Sequence, residues 1–178
     1  VANIHNIEFT VTNTEAEALI LENNLIKKIM PRYNVIFRDD KSYPYLAITN
    51  DKFPRMRFHR GAQKKNMQYF GPFPNATAVR ESIKLLQKVF MLRTCENNVF
   101  KNRSRPCLEH QIKRCTAPCV NLITQREYSN DTKQATLFLN GKGNEVIKNL
   151  TSKMNEFSDS YNYERAAVFR DRIQSLRQ

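Results

Sequence analysis

The sequence predicts an α+β fold, and three observations carry that expectation. Strand-like runs with β-branched residues occur only up to Phe70, whereas apolar residues at three- and four-residue spacing mark helices from Ala76 to Met91 and again beyond Thr124. Between them, all four cysteines crowd into the stretch Cys95–Cys119. At 178 residues the chain can build one moderate core or two small ones without staples. It carries 29 Lys and Arg against 17 Asp and Glu, a formal net charge of +12, which points to a polyanionic partner and to nucleic acid first. There is no apolar run of about 18 residues and no signal-peptide pattern, so a membrane role is not expected. Val1 stands directly before a strand-like run, which suggests further sequence upstream.

Residues 1–42 open with a strand expected over Ile4–Thr12, followed by a helix that Thr14 and Glu17 start as a capping box and that ends before Pro31. Ala18, Leu21, Leu25, Ile26 and Ile29 mark its expected buried face. Glu22 is the anomaly, because its helical neighbours are those apolar residues. A carboxylate there must pair, reach water or hold a metal ion. Asp39 and Asp40 are adjacent and point apart in extended chain, so they read as a turn or linker and not as a two-carboxylate site.

Residues 43–92 read as a small α+β unit with strands Tyr43–Thr49, Arg55–Arg60 and Met67–Phe70 in a β-meander, then a helix over Ala76–Met91 capped by Asn75 or Thr77. Val79, Ile83, Leu86, Val89 and Phe90 form its buried stripe. Arg55, Arg57, Arg60, Lys64, Lys65, Arg80 and Lys84, with His59 and Lys88, are candidates to follow a phosphate backbone. Tyr43, Tyr45 and Tyr69 lie among them, either to stack on unpaired bases or to fill the core of the sheet.

Residues 93–120 hold Cys95, Cys107, Cys115 and Cys119, separated by eleven, seven and three residues. So tight a cluster points to one metal-bound loop, and in a DNA-processing, cytoplasmic protein the thiols are reduced and not paired as disulfides. The spacing lacks both the paired knuckles of zinc ribbons and the ferredoxin run, so spacing alone leaves zinc and iron–sulfur open. Arg93, Lys101, Arg103, Arg105, Lys113 and Arg114 surround the cluster, as suits an anionic thiolate centre, and His110 is either a substitute ligand or a surface histidine.

Residues 121–178 read as helical throughout, with a helix over Thr124–Leu139 and an antiparallel hairpin over about 143–178 that turns near Asp159–Asn162. Val146, Ile147, Leu150, Met154, Phe157 and Tyr161 stripe the first arm; Tyr163, Ala166, Ala167, Ile173 and Leu176 stripe the second. Arms this short leave an apolar stripe exposed for a partner unless they pack on the chain's own core.

Several of these stretches also carry a family resemblance. TEAEALILENNLIKKIMPRYNVIFRDDKSYPYL resembles the C-terminal half of the GIY-YIG nuclease domain of the UvrC family, the incision subunits of bacterial nucleotide excision repair. YFGPFPNATAVRESIKLLQKVF, the cysteine pattern, and YERAAVFRDRIQSL, which is similar to the UVR motif, continue the resemblance in family order. It implies a partial GIY-YIG α/β half-domain in which Glu22 holds a catalytic Mg²⁺ or Mn²⁺ and Asn34 shares the active site. The family's active-site tyrosines, arginine and lysine precede the matched stretch and no GIY or YIG tripeptide occurs, so the chain alone is not expected to cut DNA. The resemblance further implies a [4Fe–4S] cluster on Cys95, Cys107, Cys115 and Cys119, with structural zinc as the alternative. Damaged double-stranded DNA is the implied substrate. UvrB is the implied partner, bound by the hairpin through Tyr163, Ala166, Ala167, Arg170, Asp171 and Ile173. The competing expectation is a non-catalytic DNA- and protein-binding module with a zinc site.

Overall fold

The computed structural model describes residues 6–32, 34 and 43–177. Helix α1 spans Glu15–Ile29. The Thr14 hydroxyl accepts the Glu17 N–H at 3.2 Å, while the Glu17 carboxylate turns back to the N–H of Asn13, one residue earlier than a full capping box requires. Met30, in the left-handed region at φ 50°, ends the helix before Pro31. Of the expected buried face only Ile26 is fully covered, joined by Asn23; Leu25 and Ile29 are exposed. The physical reason is that α1 has no extensive contact with another helix or strand among the described residues. The strand expected over Ile4–Thr12 is likewise absent from its described part. Residues 6–12 are irregular, and Ile7, Phe9 and Val11 stand at least 80% exposed, because no strand among the described residues pairs with them. Ile4 and the Asp39–Asp40 turn lie outside the described residues.

Three strands follow: β1 (Tyr45–Thr49), β2 (Met56–His59) and β3 (Met67–Phe70). All pairings are antiparallel, but the order is β2-β1-β3, which corrects the expected meander. Tyr45 pairs with His59 on one side of β1, and Leu46 pairs with Phe70 on the other. The composition explains why β1 takes the centre. Leu46, Ala47, Ile48 and Thr49 are all buried, a run that suits a central strand, whereas β2 and β3 are half polar and suit edges. The register puts Leu46, Ile48, Met56, Phe58 and Phe70 on one face and Tyr45, Ala47, Arg57, His59 and Tyr69 on the other.

Helix α2 (Ala76–Val89) covers the apolar face with Val79, Ile83, Leu86 and Val89, as its periodicity predicts. Its cap is Asn75, whose Oδ1 accepts the N–H groups of Thr77 and Ala78 at 2.9 and 3.1 Å. Asn75→Ala should therefore lower stability by about 1 kcal/mol, while Thr77→Ala should stay within about 0.5 kcal/mol of the parent in thermal or urea unfolding. Equal losses would show that the cap does not hold the helix.

Two short helices, α3 (Asn97–Lys101) and α4 (Leu108–Gln111), and a 3₁₀ turn at Pro118–Val120 punctuate the cysteine loop. Helix α5 (Gln125–Leu139) begins with a complete capping box between Thr124 and Glu127. Helices α6 (Gly143–Asp159) and α7 (Tyr163–Arg177) form the antiparallel hairpin. The hairpin is not a free arm. Val146, Leu150 and Ile173 join Leu46, Phe70, Leu86, Phe90 and Tyr128 in one continuous core, and α7 also packs on α2. The open apolar stripe expected on the hairpin is thus largely covered by the chain itself.

Candidate functional site

The cysteine loop is positioned by a buried arginine. Arg93 is 2% exposed, and its guanidinium donates to Phe53 O at 2.6 Å, Cys95 O at 3.1 Å, Asn97 Oδ1 at 2.7 Å and Asp51 Oδ2 at 3.3 Å. Its backbone N–H donates to the Tyr128 hydroxyl, which in turn donates to Pro54 O at 2.7 Å. Arg93 therefore fixes the start of the loop from inside the core, which corrects its reading as part of a cationic shell. Burial holds the Tyr128 hydroxyl well above its ordinary range, so it remains a donor at any working pH.

Farther along, His110 Nδ1 lies 3.0 Å from Cys115 O and Thr116 N–H donates to Met91 O at 3.3 Å. His110 is thus half-buried and engaged by the loop backbone. Lys113, Ala117 and Asn121 all adopt positive φ, a local density of left-handed non-glycine residues that persists only where surrounding contacts impose it.

The four cysteines are free thiols; Cys115 is buried and the others half-buried. Burial pushes the Cys115 thiol up to about 11, and charge on Cys107, Cys95 and Cys119 would push in the same direction. Burial likewise raises Cys119, followed by Cys95 and Cys107, with Arg103 acting against them. Thiols that sense one another this way share one neighbourhood. The Thr116 hydroxyl in the same loop is buried without a partner. As the side chains lie, no group of three or more His, Cys, Asp or Glu among the described residues could hold a metal ion. The donor chemistry fits a thiophilic centre, and the thiols would have to draw together to reach it.

Glu22 and Asn34 line one hollow of about 390 Å³ on α1, together with Ala18, Leu25, Ile29 and Glu8. Glu22 is exposed and not sunk in an apolar face. Glu8 was not a sequence candidate, because it lies in a segment read as a strand. It brings a second carboxylate to the hollow beside Glu22 and the Asn34 amide, a set that suits a hard divalent cation retaining several waters.

The expected phosphate-contacting residues divide into groups. Arg55 is 13% exposed and faces Glu96 at 3.4 Å, and Arg80 lies over the Phe58 ring at 4.5 Å. Arg57, Arg60, Lys64, Lys65 and Lys84 are exposed. Tyr45 and Tyr69 sit on the polar face of the sheet, not in its core. Their ring centroids are 6.1 Å apart, and His59 stands 4.9 Å from Tyr69. The Tyr69 hydroxyl accepts the Lys64 N–H at 2.7 Å, so the aromatic group and the basic turn form one surface.

On the hairpin, Ala166 and Ile173 are buried, Ala167 is half-buried, and Tyr163, Arg170 and Asp171 are exposed. Arg170 and Asp171 pair with each other at 2.8 Å. Tyr161 and Tyr163 cap the turn edge to face, both more than half exposed.

Comparison with known proteins places these features in family order. The description "UvrC/Cho excinuclease, middle domain" matches residues 43–138, "UvrC-like GIY-YIG domain" matches 1–35, and "UvrB/uvrC motif" matches 144–178. The chain is 68% identical over 178 residues to the UvrABC system protein C of Methylobacillus flagellatus, covering 100% of this chain and 30% of that protein. It is 64% identical over 177 residues to the protein of the same name from Nitrosomonas eutropha, covering 99% and 29%. Against that of Neisseria meningitidis serogroup A it is 56% identical over 176 residues, covering 99% and 28%. The chain thus spans under a third of the length of these relatives. No solved structure matches it.

Proposed function

Because the chain belongs to the UvrC/Cho excinuclease family, we propose that it is the portion of a nucleotide-excision-repair incision subunit that links nuclease, DNA contact and partner docking. One observation carries this reading. A single core joins the Arg93-pinned cysteine loop, the sheet that bears the Tyr45–His59–Tyr69 surface, and the hairpin, so a partner held at one end is placed relative to DNA at the other.

Glu22, with Asn34 and Glu8 beside it, would hold Mg²⁺ or Mn²⁺, which when bound supplies charge stabilisation to phosphodiester hydrolysis. The hollow contains no tyrosine among its described lining, and the chain contains no GIY or YIG tripeptide, so these residues supply only part of an active site. Cys95, Cys107, Cys115 and Cys119 would hold a [4Fe–4S] cluster in a positioning role, with Zn²⁺ as the competing occupant. Tyr163, Arg170 and Asp171 offer the open part of the hairpin to UvrB. Ala166 and Ile173 act indirectly, by fixing α7 against the core.

The test uses UvrB-loaded damaged duplex with Mg²⁺ or Mn²⁺. The chain should bind UvrB without nicking the DNA, and the double variant Tyr163→Ala, Arg170→Glu should bind about tenfold or more weakly at unchanged helicity. Incision by the chain would overturn the partial-site reading, and undiminished binding by the variant would overturn the docking assignment.

A further inference from the structure

A second basic surface lies away from the aromatic face of the sheet. Helix α2 and the cysteine loop enclose a groove of about 470 Å³ lined by Lys84, Gln87, Lys88, Thr94, Glu109 and Arg114. We propose that this groove binds consecutive phosphates of a nucleic-acid strand through Lys84, Lys88 and Arg114. The proposal rests on the nucleic-acid reading above and adds a specific track to it.

The geometry supports this in three ways. Lys84 and Lys88 are one helical turn apart, so their stems leave the same face of α2 about 5–6 Å from one another and can reach neighbouring phosphates. Arg114 is presented by a fixed turn: its N–H donates to Glu109 O at 2.8 Å directly after left-handed Lys113, and the next residue's carbonyl meets His110. Thr94 follows the buried Arg93, so both walls are anchored in the core.

The charge pattern points the same way. The groove holds three cations and one carboxylate, yet none of the ion pairs within 4.0 Å among the described residues involves any of them. Cations that outnumber the carboxylate three to one on a concave surface, and form no close ion pair with it, focus positive potential there. Exposed Thr94 on the lining adds a neutral donor that complements phosphate oxygens, while the Gln87 amide donates to Met56 O at 3.0 Å and braces the helix wall. The groove should therefore contribute affinity and salt dependence but not sequence specificity.

The experiment measures binding of the full 178-residue chain to a fluorescein-labelled duplex of arbitrary sequence across a salt series. For the triple variant Lys84→Gln, Lys88→Gln, Arg114→Gln, the log–log salt slope should become shallower by about 2–3, since each lost phosphate contact removes about 0.9. Affinity at low salt should fall about tenfold or more. A charge-matched control, Lys142→Gln, Lys148→Gln, Arg177→Gln, removes three exposed cations from the hairpin and should leave the slope within about one contact of the parent. Glu109→Gln removes the only anion among the described lining residues of the groove and should tighten binding about two- to fivefold. Equal slope changes in the two triple variants, or no gain from Glu109→Gln, would overturn the groove while leaving nucleic-acid binding in place. A parent chain that binds without salt dependence, or not at all, would overturn the underlying reading as well.

Discussion

Arg93→Ala should be the most damaging single substitution in the chain, costing on the order of 3–5 kcal/mol in urea unfolding. The reason is not its charge alone. The side chain is fully enclosed and satisfies two backbone carbonyls, the buried Phe53 O and the half-buried Cys95 O, while its guanidinium also lies 4.6 Å from the Phe100 ring centroid. Removal leaves two acceptors unpaired and opens a cavity between the sheet and the loop. Arg93→Lys should recover little, because a point donor cannot span Phe53 O, Cys95 O and Asn97 Oδ1 at once. Tyr128→Phe separates the contributions. It strands the Arg93 N–H and Pro54 O while keeping the ring, and should cost about 1–3 kcal/mol. If Arg93→Ala proved no worse than Tyr128→Phe, the guanidinium would not be the anchor of the loop.

That anchor also marks the limit of what the sequence reveals. Arg93 stands beside five other basic residues, and a list of charges cannot show that one of them turns inward; only the carbonyls brought to it by Phe53 and Cys95 decide that. Helical periodicity was legible because it is local. The stripe Val79, Ile83, Leu86, Val89 of α2 and the Val146, Leu150, Ala166 and Ile173 positions of the hairpin emerge as read, since each residue's face is set by neighbours three and four positions away. Tyr161 and Tyr163 of the hairpin and Leu25 and Ile29 of α1 are exposed instead, because periodicity does not say what will cover a face. Strand order was not legible. The meander expectation followed chain order, whereas the centre of the sheet went to β1 because its run of buried residues needs cover on both edges. Partner surfaces were legible only in part, for the same reason. The motif positions Ala166 and Ile173 have apolar side chains that suit a partner or the chain's own core equally, and the fold assigns them to the core. The site on α1 fared differently. Glu22 and Asn34 do share one hollow, but Glu8 enters it from an irregular segment that carries no periodic signal.

The cysteine loop gives the second large effect, in the form of a pH response and its loss on metal binding. In the metal-free chain the Cys115 thiol titrates at about 11 against an ordinary 9.0, chiefly because burial disfavours the thiolate. The unfolded chain therefore sheds this proton first. Between these two values it binds fewer protons than the folded chain, so stability is fully present below pH 9 and declines as pH rises toward 11. The same burial predicts an order of alkylation near neutral pH, with half-buried Cys95 and Cys107 ahead of Cys115. A thiolate-bound metal reverses both effects. Coordination requires the deprotonated sulfur, so the bound form has already released its protons, and it should show neither the alkaline decline nor labelling at any of the four positions. Anaerobically purified protein should accordingly contain iron with visible absorbance, or zinc without it, and chelation should restore the alkaline decline and the graded labelling. Cys115→Ser should abolish metal content, since it removes the one fully buried donor of the set. Protein that carries neither metal and alkylates at Cys115 as fast as at Cys95 would remove the basis for a cofactor here. The loop would then owe its order to Arg93, to the His110 contact with Cys115 O and to the Thr116 bond to Met91, and its left-handed residues would need no further cross-link.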